Sequence, residues 1–181
     1  MPLLLWVHLR SSMLIIIGSL LYLTASRSDI AFSMGVYARY QATPKESHLI
    51  AVKWIIRYIN GTLDYGLWYS KDSNACLAGY SDVGWAGSVD DWKSTLGGCF
   101  YLGNNLVFWM SKKQNFVSLT TVEAEYIAAG SCCTQLLWMK KLLHDYGIPQ
   151  DTMCVFCDNT SAINLSKNSV QHSKSKYIEI R

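Results

Sequence analysis

The sequence predicts an α/β fold: a mixed sheet of three antiparallel strands plus a parallel fourth, with helices, preceded by a helical segment. Three observations predict it. From residue 65 to 121 the chain breaks into short aromatic and β-branched runs separated by Gly, Asn and Lys, the pattern of strands and hairpins. A long stretch with an apolar stripe at helical spacing follows, from about Val122 to Tyr146. Then comes MCVFCD (153–158), a strand after a helix, which enters the sheet by a right-handed crossover and so lies parallel.

Each element has its own signal. Residues 13–40 read as an apolar helix, a turn around SRSD (26–29) and more helix, with Pro44 breaking the run. The apolar stretch Met13–Leu23 holds 11 residues, interrupted upstream by Arg10, Ser11 and Ser12. A bilayer span needs about 20, so a buried helix is expected and no membrane partner. In 46–61, Leu49, Val52, Ile55, Ile56 and Ile59 recur at helical spacing, Ser47 is the expected cap, and Gly61 the stop. The strand runs are 65–70, 75–82, 97–103, 105–110 and 116–121, with Gly103-Asn104-Asn105 as a hairpin turn. The long helix closes at Gly147 and Pro149, and its inner stripe is Glu125, Ala128, Ala129, Cys132, Leu136, Met139 and Leu143. A short helix over 159–167 follows the last strand, and a boundary between two parts is expected near 62–75.

Composition limits the function classes. With 181 residues, 50% hydrophobic and 16% charged, the chain is packed and globular, about one domain and a fraction, which excludes disordered and fibrous classes and large multidomain enzymes. The net charge of +3 permits a polyanionic partner without requiring one. Six Cys lack the spacing of a secreted disulfide framework and read as free thiols. Cys154 and Cys157 form a C-x-x-C, but strand alternation sends their side chains to opposite faces, which argues against a zinc or redox pair.

Three acids stand where a core resists charge: Asp82 closes one strand, Asp158 closes another, and Glu125 heads the apolar stripe of the long helix. If the two strands are parallel neighbours, their C-terminal ends lie side by side, and an open α/β sheet places its site there. Three carboxylates at one point repel unless cations neutralise them. Magnesium, with its oxygen ligands and affinity for phosphate, suits that charge and suggests phosphoryl transfer. Taken singly, Asp82 also reads as a turn residue, Asp158 as a helix cap and Glu125 as a first-turn acid. Glu123 competes with Glu125, but lies about 200° around the helix on a more polar line, so only one of them faces the site.

The segments GYSDVGWAG (79–87), KSTLGGCFYLGNNLVFWMSKKQ (93–114), SLTTVEAEYIAAG (118–130), VFCDNTSAINLSKN (155–168) and QHSKSKYIEIR (171–181) resemble the ribonuclease H domain of copia-type LTR-retrotransposon Pol polyproteins. Upstream, residues 17–62 resemble the connection between reverse transcriptase and that domain. The resemblance implies residues 1–64 as a helical connection remnant and 65–181 as a ribonuclease H-like domain, truncated at its C-terminus.

What the resemblance implies for function is specific. Asp82, Glu125, Asp158 and Glu179 match the four acids that hold two Mg2+ ions, with Mn2+ as a substitute, and Glu179 stands where the family usually has Asp. Asp82 would bridge the ions, and His172 would assist proton transfer or product departure. The substrate would be the RNA strand of an RNA–DNA hybrid, met by Lys112, Lys113 and Trp109. Hydrolysis is expected to be weak, because the family pattern continues past Arg181 and Glu179 sits almost at the chain end; the alternative is an inactive remnant that binds nucleic acid or does nothing. A reverse transcriptase supplied elsewhere is the expected partner, and the cytoplasm or nucleus the expected location.

Overall fold

The computed structural model describes residues 3–71, 74 and 76–168, and the chain divides into two compact units, Met1–Trp68 and Tyr69–Arg181. The first unit is helical: α1 (Leu3–Leu23), a 3-10 turn (Ser28–Ile30), α2 (Ala31–Ala38) and α3 (Glu46–Gly61). Its core is built by Met13, Ile17 and Leu20 of α1 with Ile30, Met34, Val52 and Ile55, all buried. At about 25 cal/mol per Å2, each such side chain contributes roughly 1.5–3 kcal/mol of burial, so packing holds these helices together.

Two boundaries differ from the sequence reading. Helix α1 starts at Leu3 and passes through Arg10, Ser11 and Ser12 without a break, because none of the three is a strong helix breaker. Helix α3 starts at Glu46 rather than after Ser47; the Lys45 N–H donates to His48 Nδ1 at 3.2 Å and fixes the first turn. Among the described residues no helix is long and apolar enough to cross a membrane.

Asp29 and Arg27 tie the turn between α1 and α2 to the end of α3. The nearly buried Arg27 guanidinium donates to both Asp29 carboxylate oxygens (3.0 and 2.7 Å), to the Thr62 carbonyl (3.0 Å) and to Thr62 Oγ1 (2.7 Å). Tyr58 Oη donates to Asp29 at 2.8 Å. Arg27 holds the Asp29 carboxyl down at about 2.

The second unit is a four-stranded sheet in the order β3-β2-β1-β4 with helices α4 and α5. β1 (Leu77–Gly84), β2 (Thr95–Leu102) and β3 (Asn105–Lys113) form an antiparallel meander, and β4 (Met153–Phe156) pairs with β1 in parallel. The predicted mixed sheet of three antiparallel strands and a parallel fourth is therefore present. Gly103, at φ +60°, makes the two-residue turn into β3, a conformation glycine adopts without Cβ strain.

Two predicted strands are absent. Residues 65–70 are irregular, since neither sheet edge pairs with them; the Asn105 side-chain amide takes the place of a strand neighbour, accepting from Ser70 N–H (2.8 Å) and donating to its carbonyl (3.0 Å). Residues 116–120 are also irregular and Thr121 is helical, because the β-branched Thr120 caps α4 (Thr121–Asp145) instead: its Oγ1 accepts from Glu123 N–H at 3.1 Å. β4 ends at Phe156, two residues before Asp158, and β1 continues two residues past Asp82.

Helix α4 lies across β1 and β2, burying Cys132, Leu136 and Met139 against Leu77 and Phe100. Gly79 makes this close approach possible: a Cβ there would stand 2.7 Å from Cys132 Sγ and 3.1 Å from Leu136 Cδ1. α5 (Thr160–Lys167) packs on α4.

Candidate active site

Strand register brings the two aspartates together. β1 and β4 pair Leu77 with Met153, Ala78 with Cys154, Gly79 with Val155 and Tyr80 with Phe156. Continued by two residues, the same offset sets Asp82 level with Asp158 at the C-terminal ends of the two strands, and both residues are exposed. Ser81 Oγ, donating to the Phe156 carbonyl at 3.5 Å, bridges the strands just before this point. Asp82 Oδ1 accepts the Val83 N–H at 2.8 Å, which orients its carboxylate.

Glu125 arrives from α4. Its side chain is 7% exposed, and burial pushes its carboxyl up, aided by the charges of Asp158 and Asp82. The Cys157 thiol donates to Glu125 Oε2 at 3.8 Å, and one donor atom from each of Glu125, Cys157 and Asp158 lies within 4.8 Å of the others. Glu123 has a different task. Its Oε2 accepts the Leu119 N–H at 2.7 Å while its own N–H is held by Thr120, a reciprocal cap at the start of the helix. Asp158 is not a cap either; Asn159 Oδ1 accepts from Ala162 N–H at 3.0 Å and starts α5.

A buried polar web that the sequence did not reveal fixes the first turns of α4. Gln114 Nε2 donates to the Ala124 carbonyl (3.0 Å), Ser118 Oγ donates to Gln114 Oε1 (2.9 Å), and Gln114 N–H donates to the Ser94 carbonyl (2.8 Å). All three residues are buried, and Ala124 precedes Glu125 directly. Gln114 sits in a run of polar residues, KKQN, so no periodicity marks it as internal. In the sequence Cys157 shows only a C-x-x-C spacing to Cys154, and in the structure all described Cys are free thiols.

The remaining candidates are spread. Trp109 is half-buried opposite Cys99, on the same sheet face as Asp82. Lys112 is exposed opposite Leu96, on the face that α4 covers, whereas Lys113, opposite Thr95, shares the face of Asp82 and Trp109, its Nζ 2.6 Å from Asp91 Oδ1. Lys113, with Ser88, holds the Asp91 carboxyl down at about 2. His172 and Glu179 lie outside the described residues.

The chain is 42% identical over 166 residues to the Retrovirus-related Pol polyprotein from transposon TNT 1-94 of Nicotiana tabacum, and 37% identical over 166 residues to that from transposon RE2 of Arabidopsis thaliana. Its homologues are copia-type retrotransposon Pol polyproteins. Each match covers 91% of this chain and 11–12% of the polyprotein, so the chain corresponds to a small segment of those Pol sequences. It is also 37% identical over 124 residues to the Secreted RxLR effector protein 161 of Plasmopara viticola, covering 87% of that protein. No family model and no solved structure matches the chain.

Proposed function

We propose that the Tyr69–Arg181 unit of this Pol segment is a ribonuclease H-like hydrolase that cuts the RNA strand of an RNA–DNA hybrid. The observation that carries this reading is the parallel β1–β4 register, which sets Asp82 level with Asp158 while α4 buries Glu125 against their charge.

The donor set fits Mg2+ or Mn2+. The charges of Asp158 and Asp82 add to burial in pushing the Glu125 carboxyl up, and a hard divalent cation would relieve that negative charge. Asp82, Glu125 and Asp158 would hold two such ions, with Glu179 as a fourth ligand. When bound, the ions supply an activated water and stabilise charge at the scissile phosphate. The chain's own residues set up the site. The Gln114 web fixes the turn bearing Glu125, the Cys157 thiol orients Glu125, and Val83 N–H orients Asp82. Trp109 and Lys113, which share the face of Asp82, would meet the hybrid, Lys113 once it has left Asp91, while Lys112 on the other face would reach it only at the strand edge. His172 would assist proton transfer or product departure. Recognition would be by helix shape and 2′-hydroxyls rather than base identity. A reverse transcriptase supplied elsewhere, in the cytoplasm or nucleus, would make the hybrid.

The test incubates the purified chain with a labelled hybrid in magnesium or chelator, alongside Asp82→Asn and Asp158→Asn. Magnesium-dependent loss of the RNA strand, abolished in both variants, is expected. An intact hybrid under all conditions, with the chain folded, would leave a non-catalytic remnant.

A further inference from the structure

The two units differ in charge: Met1–Trp68 contains six Lys and Arg against three Asp and Glu, whereas Tyr69–Arg181 contains ten of each. The whole net charge of +3 is therefore carried by the helical unit. On α3 part of that charge is gathered with apolar side chains. Val52 and Ile55 enter the core; on the opposite side, Ile50, Lys53, Trp54 and Arg57 follow one another at i, i+3, i+4 and i+7, which is one helix face.

Three features set this face apart from an ordinary solvated one. Trp54 is 60% exposed and Ile50 51%, so a large aromatic and a branched aliphatic are held out in water. The Arg57 guanidinium lies over the Trp54 ring, 5.0 Å from its centroid, giving a flat cationic and aromatic platform. Neither Lys53 nor Arg57 is in an ion pair among the described residues, and the four side chains line a shallow depression of about 280 Å3.

We infer that this face of α3 is a contact surface for a single polynucleotide strand, with Lys53 and Arg57 against phosphates and Trp54 against a base. The charge is complementary to a phosphate backbone, and an exposed indole beside a guanidinium is the pairing on which unpaired bases stack. Glu46 stands on the same side of the helix near its start, so the strand is expected to run past the Lys53–Arg57 end. The inference goes beyond the hydrolytic reading and does not depend on it, since binding here requires neither metal nor cleavage.

The test is fluorescence anisotropy of a short labelled oligodeoxythymidylate with the full chain, in chelator, across a range of salt. Trp54→Ala should weaken binding about tenfold or more without changing the salt slope. Lys53→Ala with Arg57→Ala should weaken binding and flatten the slope of log K against log salt by about 1.4, the value for two contacts on a single strand. Lys53→Arg should bind as the parent does. Because a variant can lose its fold, photo-crosslinking of a halogenated oligonucleotide to the unaltered chain is the second readout, and Trp54 is the expected adduct. Crosslinks confined to other peptides, unchanged affinity in folded variants, or no binding by the parent would overturn the inference. So would recruitment to anionic phospholipid vesicles that needs the same residues and is not competed by the oligonucleotide, because the face would then serve a membrane surface. A chain that binds through α3 yet leaves hybrids intact would uphold this inference and reject the hydrolase. A chain that cleaves but is indifferent to these substitutions would do the reverse.

Discussion

Tyr80 and Phe156, register partners on neighbouring parallel strands, stack with ring centroids 4.7 Å apart, and the residues two positions further along each strand are Asp82 and Asp158. The stacked pair, with the Ser81 hydroxyl that donates to the Phe156 carbonyl, is thus the side-chain link holding β4 to β1 just before the carboxylates. Both rings are 47% exposed, so Phe156→Ala should cost only about 1 kcal/mol of stability. Its effect on hybrid cleavage should be larger, because a loosened β4 end displaces Asp158. Denaturant unfolding and initial cleavage rates on the same protein compare the two; a rate loss no greater than the stability loss predicts would count against the link.

Glu123 and Glu125 should separate cleanly. Glu123→Ala removes the carboxylate that holds Leu119 N–H, and should cost about 1 kcal/mol while cleavage persists. Glu125→Gln should abolish cleavage and, in chelator at neutral pH, raise the melting temperature by roughly 2–4 °C for each kcal/mol of repulsion relieved. The sign follows from linkage. A folded-state carboxyl pushed up destabilises the fold as pH rises from its ordinary value through the raised one, and the penalty stays constant above that. Thermal melts at acid and neutral pH, with and without magnesium, check it; magnesium should narrow the gap between parent and variant.

Gly79→Ala should destabilise by about 1–3 kcal/mol, because its methyl would meet Cys132 Sγ at 2.7 Å in a packed layer. Removing the obstacle should recover part of the loss. In a double-mutant cycle, Gly79→Ala with Cys132→Ala should be less destabilised than the sum of the singles.

The Arg27–Asp29 pair predicts an acid transition in the helical unit. The Asp29 carboxyl is depressed from 3.8 to about 2, so its contribution is complete above the unfolded value and lost as pH falls through about 2. Asp29 is about a third exposed, which limits the contribution to roughly 1–2 kcal/mol. Asp29→Asn should flatten the pH dependence of unfolding between about pH 4 and 2, followed by helical circular dichroism. An unchanged acid limb would show that the pair does not couple to folding.

The sequence by itself determined the strand and helix types of the elements that carry Asp82, Glu125 and Asp158 and the parallel fourth strand, because those depend on local periodicity and on the order of the elements. It overstated strands at 65–70 and 116–121, where propensity was high but a strand needs a partner and a helix cap outcompeted it at Thr120. Tertiary structure alone decided the rest. The level standing of Asp82 and Asp158 is a matter of register, which no single strand encodes. The division of labour between Glu123 and Glu125 became definite only when the 118–120 backbone offered Glu123 an amide to bind. The support of α4 by Gln114 and Ser118 depends on burial of polar groups whose partners lie on another element, and a polar residue shows that need only once the chain has closed around it.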